Sequence, residues 1–143
     1  MTLEKNKDIA LSFIQVWGRG KLDIIDELAS SELSVYYPAF PHVIKGIAAF
    51  KQRLTKFRSA FGDPDTQIEE EIAEGDKVVF RWSFSATHQG EYPPGIPPTG
   101  KRMTWTGITI YRIADGKVVE ERGEEDYLGI LRQLGLVPEP QAQ

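Results

Sequence analysis

The stretch "VVFRWSFSATH", Val78 to His88, constrains this chain more than any other. Val78, Phe80, Trp82, Phe84 and Ala86 recur at every second position, and His88 keeps the same phase. Side chains of a β-strand alternate between the two faces of a sheet, so these residues share one apolar face. A second pair of strands follows in "RMTWTGITIYRIADGKVVEERGEED", joined at Asp115-Gly116, a hairpin dipeptide. Between the two regions stands "GEYPPGIPPTG". Pro93, Pro94, Pro97 and Pro98 cannot donate to a sheet ladder, and the stretch is too long for a tight turn. It is therefore expected to be a stiff loop, either a plain connection or a rim beside an entrance.

The chain before these strands reads differently. Ile9, Phe13, Val16 and Trp17 form one helical stripe, stopped by Gly18 and Gly20. Leu22, Ile25 and Leu28 are spaced for a second, short helix. "ELSVYYPAFP" predicts a strand in which Leu33, Val35 and Tyr37 alternate. Ile47, Phe50, Leu54, Phe57 and Phe61 predict a third helix, closed by turn chemistry in "GDPD". A strand is expected around Ile68 to Ile72, and a short helix over "YLGILRQLG", with Leu128, Leu131 and Leu134 in register. Helices first and antiparallel strands later imply an α+β fold: helices on a curved antiparallel sheet, forming a cone with an apolar cavity. One domain is expected over residues 1–137, with a frayed tail at 138–143.

Composition narrows the function. With 143 residues and a net charge of −4, the chain can bury a core but lacks the basic surface that nucleic acid requires. It has no cysteine, and its two histidines have no ligand spacing, so no metal site is expected. The charged start "MTLEKNKDIALSF" has no apolar leader, and no stretch is long enough to span a membrane, so a cytoplasmic location is expected.

Four blocks taken together, "AFGDPDTQIEEEIAEGDKVVFRWSFSATHQGEY", "PPTGKRMTWTG", "YRIADGKVVEE" and "DYLGILRQLG", resemble the SnoaL-like polyketide cyclases. That family, also called ester cyclases, belongs to the nuclear transport factor 2-like superfamily. The resemblance runs from the first helix to Gly135. It implies an α+β cone, a homodimer, a small-molecule substrate, and no metal or organic cofactor. It also implies that the proline-rich loop stands at the open side of the cone.

The same resemblance implies that Asp126 is the general acid/base for an intramolecular aldol closure. An apolar pocket would raise its pKa and suit it to that role. As a residue preceding a helix, Asp126 equally suits an N-cap. His88 matches the family's "GTH" block, here "ATH"; it is either a pocket group or a packed structural histidine. Many members read Glu-His-Trp before the acid, where this chain has Glu120, Glu121 and Arg122. Arg122 and Asp126 share a face on an extended strand, so the pair would hold the carboxylate ionised or present the guanidinium to an anionic substrate. A solvent-facing ion pair is the alternative. Trp17, Tyr36, Phe57, Trp82 and Trp105 are the candidate pocket aromatics.

Three readings stay open at this level. The first is a cofactor-free enzyme closing a ring in a carbonyl compound. The second is an isomerase, dehydratase or epoxide hydrolase on the same fold. The third is a non-catalytic binding module.

Overall fold

The computed structural model describes residues 2–141. The first helix, α1 (Leu3–Ile14), is capped by the Thr2 hydroxyl, which accepts from the Lys5 N–H at 3.1 Å. A single 3₁₀ turn (Gln15–Trp17) follows, then the short α2 (Ile24–Leu28). Strands β1 (Ala29–Tyr36) and β2 (Ile44–Lys45) lead into α3 (Ile47–Ala60). The rest is a meander of long strands: β3 (Phe61–Glu74), β4 (Lys77–His88), β5 (Arg102–Ala114) and β6 (Lys117–Glu125). A last helix, α4 (Tyr127–Gln133), closes the chain. Residues 138–141 form neither helix nor strand, and the end of the expected tail lies outside the described residues.

All six strands form one curved, unclosed sheet in the order β2-β1-β6-β5-β4-β3. The fold is the expected α+β arrangement, with one correction: β1 pairs with β6 in parallel, while every other neighbouring pair is antiparallel. A parallel pair needs a long crossover. Here α3 and the intervening strands supply it.

Packing follows the alternation read from the sequence. Val78, Phe80, Trp82, Phe84, Ala86 and His88 on β4 are all buried. Phe13 of α1 stacks on Phe50 of α3 at 5.9 Å and meets Tyr111 of β5 edge-on at 5.8 Å. Phe50 and Leu54 are fully buried, and each contributes about 1.5–3 kcal/mol of apolar burial.

Three local expectations need correction. α3 ends at Ala60, and Phe61 is the first residue of β3, though still buried. "GDPD" is no turn after the helix; it lies inside β3, whose register shifts between Gly62 and Asp65. β3 is an edge strand, where Pro64 and a bulge are tolerated because one side needs no ladder partner. In α4 the residue turned inward is Ile130, while Leu128 is 45% exposed.

Candidate active site

Between the helices and the sheet lies a pocket with aromatic walls. Trp17, Phe57, Trp82 and Trp105 line it, together with Tyr37, Phe40, Phe84 and Tyr92. It measures about 520 Å³ counting its open mouth, but only about 40 Å³ admits the centre of a water molecule. Outside the indoles, polar groups are few: Thr66, Thr109, Tyr37, Tyr92 and Glu125.

Two glycines make room for the floor. A Cβ on Gly107 would stand 2.3 Å from the Trp82 indole, and one on Gly123 would stand 2.0 Å from the Tyr37 ring. Both distances are far below contact, so these rings can seat only against bare backbone.

The proline-rich loop bears on the same pocket. Gln89 and Gly90 donate their N–H groups to the Ala60 carbonyl at 2.8 and 3.0 Å, which ties the loop to the end of α3. Tyr92 then reaches the pocket and packs on Phe61 and Phe57, with ring centroids 5.0 and 6.1 Å away. The loop thus supplies a wall of the pocket.

The expected polar residues do not gather there. Asp126 is exposed and caps α4, its carboxylate accepting from the Gly129 N–H at 2.8 Å. It borders a shallow depression on the other side of the sheet, with Arg81, Thr106 and Glu124. Arg122 is exposed as well; its guanidinium lies 3.9 Å over the Tyr36 ring and 3.7 Å from Glu120. Tyr36 therefore belongs to the outer surface, and its neighbour Tyr37 takes the pocket position. A one-residue change of phase moves a strand side chain to the opposite face. His88 is fully buried but is not part of the pocket wall. Its Nδ1 accepts the Thr99 N–H at 3.1 Å and meets the Thr99 hydroxyl at 2.9 Å, so it pins the far end of the proline-rich loop.

Two carboxylates that the sequence reading did not select stand inside instead. Along β6, Glu121, Gly123 and Glu125 turn inward, while Arg122, Glu124 and Asp126 turn outward. Glu121 is fully buried. Its Oε2 accepts from the Tyr37 hydroxyl at 2.5 Å and from the Trp17 indole N–H at 2.7 Å. The network continues through the Thr109 hydroxyl, 3.1 Å from the Tyr37 hydroxyl, which accepts the Trp82 indole N–H at 3.0 Å. Glu121 Oε1 has no hydrogen-bond partner among the described residues, and neither does the Tyr111 hydroxyl nearby.

Both carboxyls are hard to ionise. Burial pushes Glu121 up to about 7 against the opposing influence of Tyr37, Trp17 and the Tyr111 hydroxyl. Burial likewise pushes Glu125 up to about 7, with the Trp105 indole opposing. Desolvation is the dominant cause in each case, because the charged form loses its water and gains no cation. Tyr37 is also raised, first by burial and then by the Glu121 charge. Such a pair, titrating near neutrality and facing or adjoining an aromatic pocket, can move protons but offers no ligand cluster for a metal among the described residues.

A helix layer on an open curved sheet, with a pocket of aromatic residues and acid/base groups between them, defines the nuclear transport factor 2-like class. Within that class the chain belongs to the SnoaL-like polyketide cyclase family, whose model matches residues 7–134. It is 31% identical over 131 residues to the aklanonic acid methyl ester cyclase of Streptomyces peucetius, covering 90% of this chain and 89% of that one. It is 28% identical over 123 residues to the nogalonic acid methyl ester cyclase of Streptomyces nogalater, covering 85% and 91%. Among solved structures, a Streptomyces galilaeus protein provisionally described as a hydroxylase superposes with a TM-score of 0.84 at 28% identity, covering 98% of this chain and 87% of that one.

Proposed function

We propose that this protein closes a ring in a polyketide-derived carbonyl compound by an intramolecular aldol reaction, with Glu125 as the proton-moving group. The observation that carries the reading is Glu125 itself. It is a carboxylate on the wall of an aromatic pocket, raised by burial to about 7. A base near neutrality combines a useful ionised fraction with enough basicity to take a proton from carbon. Glu125 removes the proton beside an activated carbonyl. The resulting enolate carbon attacks a second carbonyl of the same molecule, one carbon–carbon bond forms, and the new alkoxide takes up a proton. Electrons balance within the substrate, so the step calls for no redox partner.

Aromatic walls suit a flat, largely apolar substrate and exclude water from the enolate.

The test compares Glu125→Gln with Asp126→Asn, using aklanonic acid methyl ester as the probe and following its conversion by chromatography. Glu125→Gln should lower kcat by about a hundredfold or more. Asp126→Asn should stay within a few-fold of the parent. The opposite pattern would return the proton transfer to Asp126, and an unconverted probe with the parent protein would count against ring closure of this substrate.

A homodimer and a cytoplasmic location complete the proposal. Val79 pairs with Ile110 and Arg81 with Ile108 across β4 and β5, and Ile108 and Ile72 remain 45% and 59% exposed. A second copy related by two-fold symmetry would cover them. Sedimentation should give about twice 16.1 kDa, and a clean monomer contradicts the dimer.

A further inference from the structure

We propose that Tyr37 and Glu121 form a two-step proton relay, in which the Tyr37 hydroxyl protonates the oxygen of a pocket-bound substrate and Glu121 replaces that proton from behind. The relay rests on the ring-closure reading above, because it supplies the proton that the new alkoxide needs.

Position is the first argument. Tyr37 belongs to two environments at once: its side chain lines the pocket, and its hydroxyl bonds Glu121 at 2.5 Å. Glu121 has no place on the pocket wall, so it can reach a substrate only through Tyr37.

The distribution of hydrogen bonds is the second argument. One oxygen of Glu121 takes two donors, while the other lies beside the Tyr111 hydroxyl without a well-formed bond to it. A buried carboxyl with no cation beside it is costly to ionise; a proton on Oε2, the oxygen that faces Tyr37, removes that cost and leaves Oε1 as a carbonyl beside the Tyr111 hydroxyl. A protonated Glu121 donates to the Tyr37 oxygen, which releases the tyrosine proton towards the pocket. Thr109 favours that state. Its oxygen already accepts the Trp82 indole N–H, leaving its own proton free to point at Tyr37.

The groups facing Glu121 are Tyr37 beyond the end of β1, Trp17 of the 3₁₀ turn and Tyr111 of β5. None of them carries a compensating positive charge. Glu125, the other ionisable group of the site, raises Tyr37 further when charged.

The step balances. The O–H bond of Tyr37 breaks as the alkoxide O–H forms, and the O–H bond of Glu121 breaks as the Tyr37 O–H reforms. Glu121 is left ionised and Glu125 protonated, so one proton returned through solvent resets the site. The active form then has Glu125 ionised and Glu121 protonated. A bell-shaped pH profile follows, with Glu125 on the rising limb and Glu121 on the falling limb.

The experiment uses the intact protein and the same ester probe. Tyr37→Phe keeps the ring in place and removes the hydroxyl; it should lower kcat by about a hundredfold with KM within about threefold. Glu121→Gln should lower kcat and abolish the falling limb. A second measurement needs no substrate: the ¹⁵N–¹H signal of the Trp17 indole, which donates to Glu121. It should titrate near neutrality, should persist in Tyr37→Phe and should be flat in Glu121→Gln. If the parent protein converts the probe while Tyr37→Phe matches it or Glu121→Gln keeps the falling limb, the relay is overturned and ring closure stands. If the parent does not convert the probe, ring closure of that ester fails and the indole decides: titration supports the relay, and a flat signal from pH 5 to 9 overturns it.

Discussion

Replacing Glu121 by glutamine should stabilise the protein at alkaline pH and much less at acidic pH. The substitution keeps shape. A glutamine oxygen can still accept from Tyr37 and Trp17, while its amide replaces the unpartnered Oε1 and can donate towards Tyr111. What disappears is the cost of a buried charge. Glu121 lies at about 7 in the fold against an ordinary 4.5. A carboxyl raised on folding binds its proton more tightly in the native state, so native stability falls as pH rises from about 4.5 and levels off above about 7. The difference of about 2.5 pH units, at about 1.36 kcal/mol each, comes to about 3 kcal/mol. The group is fully buried, so solvent screening takes little from this figure. For a chain of this size the gain corresponds to about 10 °C in Tm. Chemical denaturation at pH 5 and pH 8.5 measures it directly. Glu121→Gln minus parent should be about +1 kcal/mol at pH 5, which lies just above 4.5, and about +3 kcal/mol at pH 8.5. Equal differences at the two pH values would refute the argument, for they would mean that Glu121 is not held neutral by burial.

The remaining predictions follow from single contacts. With Glu125 at about 7, the limb of the kcat profile that rises with pH should have its midpoint near 7 and vanish in Glu125→Gln, as stopped assays across pH 5–9 would show. Asp126→Ala should cost about 1 kcal/mol by loss of the α4 cap, read from denaturant midpoints, with little change in the environment of the pocket tryptophans. His88→Ala should destabilise the protein by about 3 kcal/mol and speed amide exchange in residues 89–101, because the buried ring and the bonds to Thr99 both go. Gly123→Ala should displace Tyr37 at a cost of about 1–3 kcal/mol or more and alter Trp17 fluorescence, since the new methyl would occupy the Tyr37 ring position.

Much of the architecture was settled by local rules. Period-two alternation placed Val78 to His88 with the buried side inward, and the helical stripe of α3 carried Phe50 and Leu54 into the core. The prolines between His88 and Gly100 excluded strand there, and the block order was specific enough to point to the family. These features depend on spacing along the chain, which sequence displays directly. Which face of β6 looks into the pocket was a different kind of question. Counting by twos from the buried Val118 turns Glu120, Arg122, Glu124 and Asp126 inward, the face on which the expected acid lay. The fold reverses that phase. Ile113 pairs with Val118 but Arg112 pairs with Glu120, so Val119 is an extra residue bulged out of the ladder. Beyond the bulge, Glu121 and Glu125 face inward. A bulge depends on how two strands meet, and no periodicity in one of them records it. The pKa values follow from the same event, because a glutamate is acidic by sequence and becomes hard to ionise only where the tertiary fold removes its water.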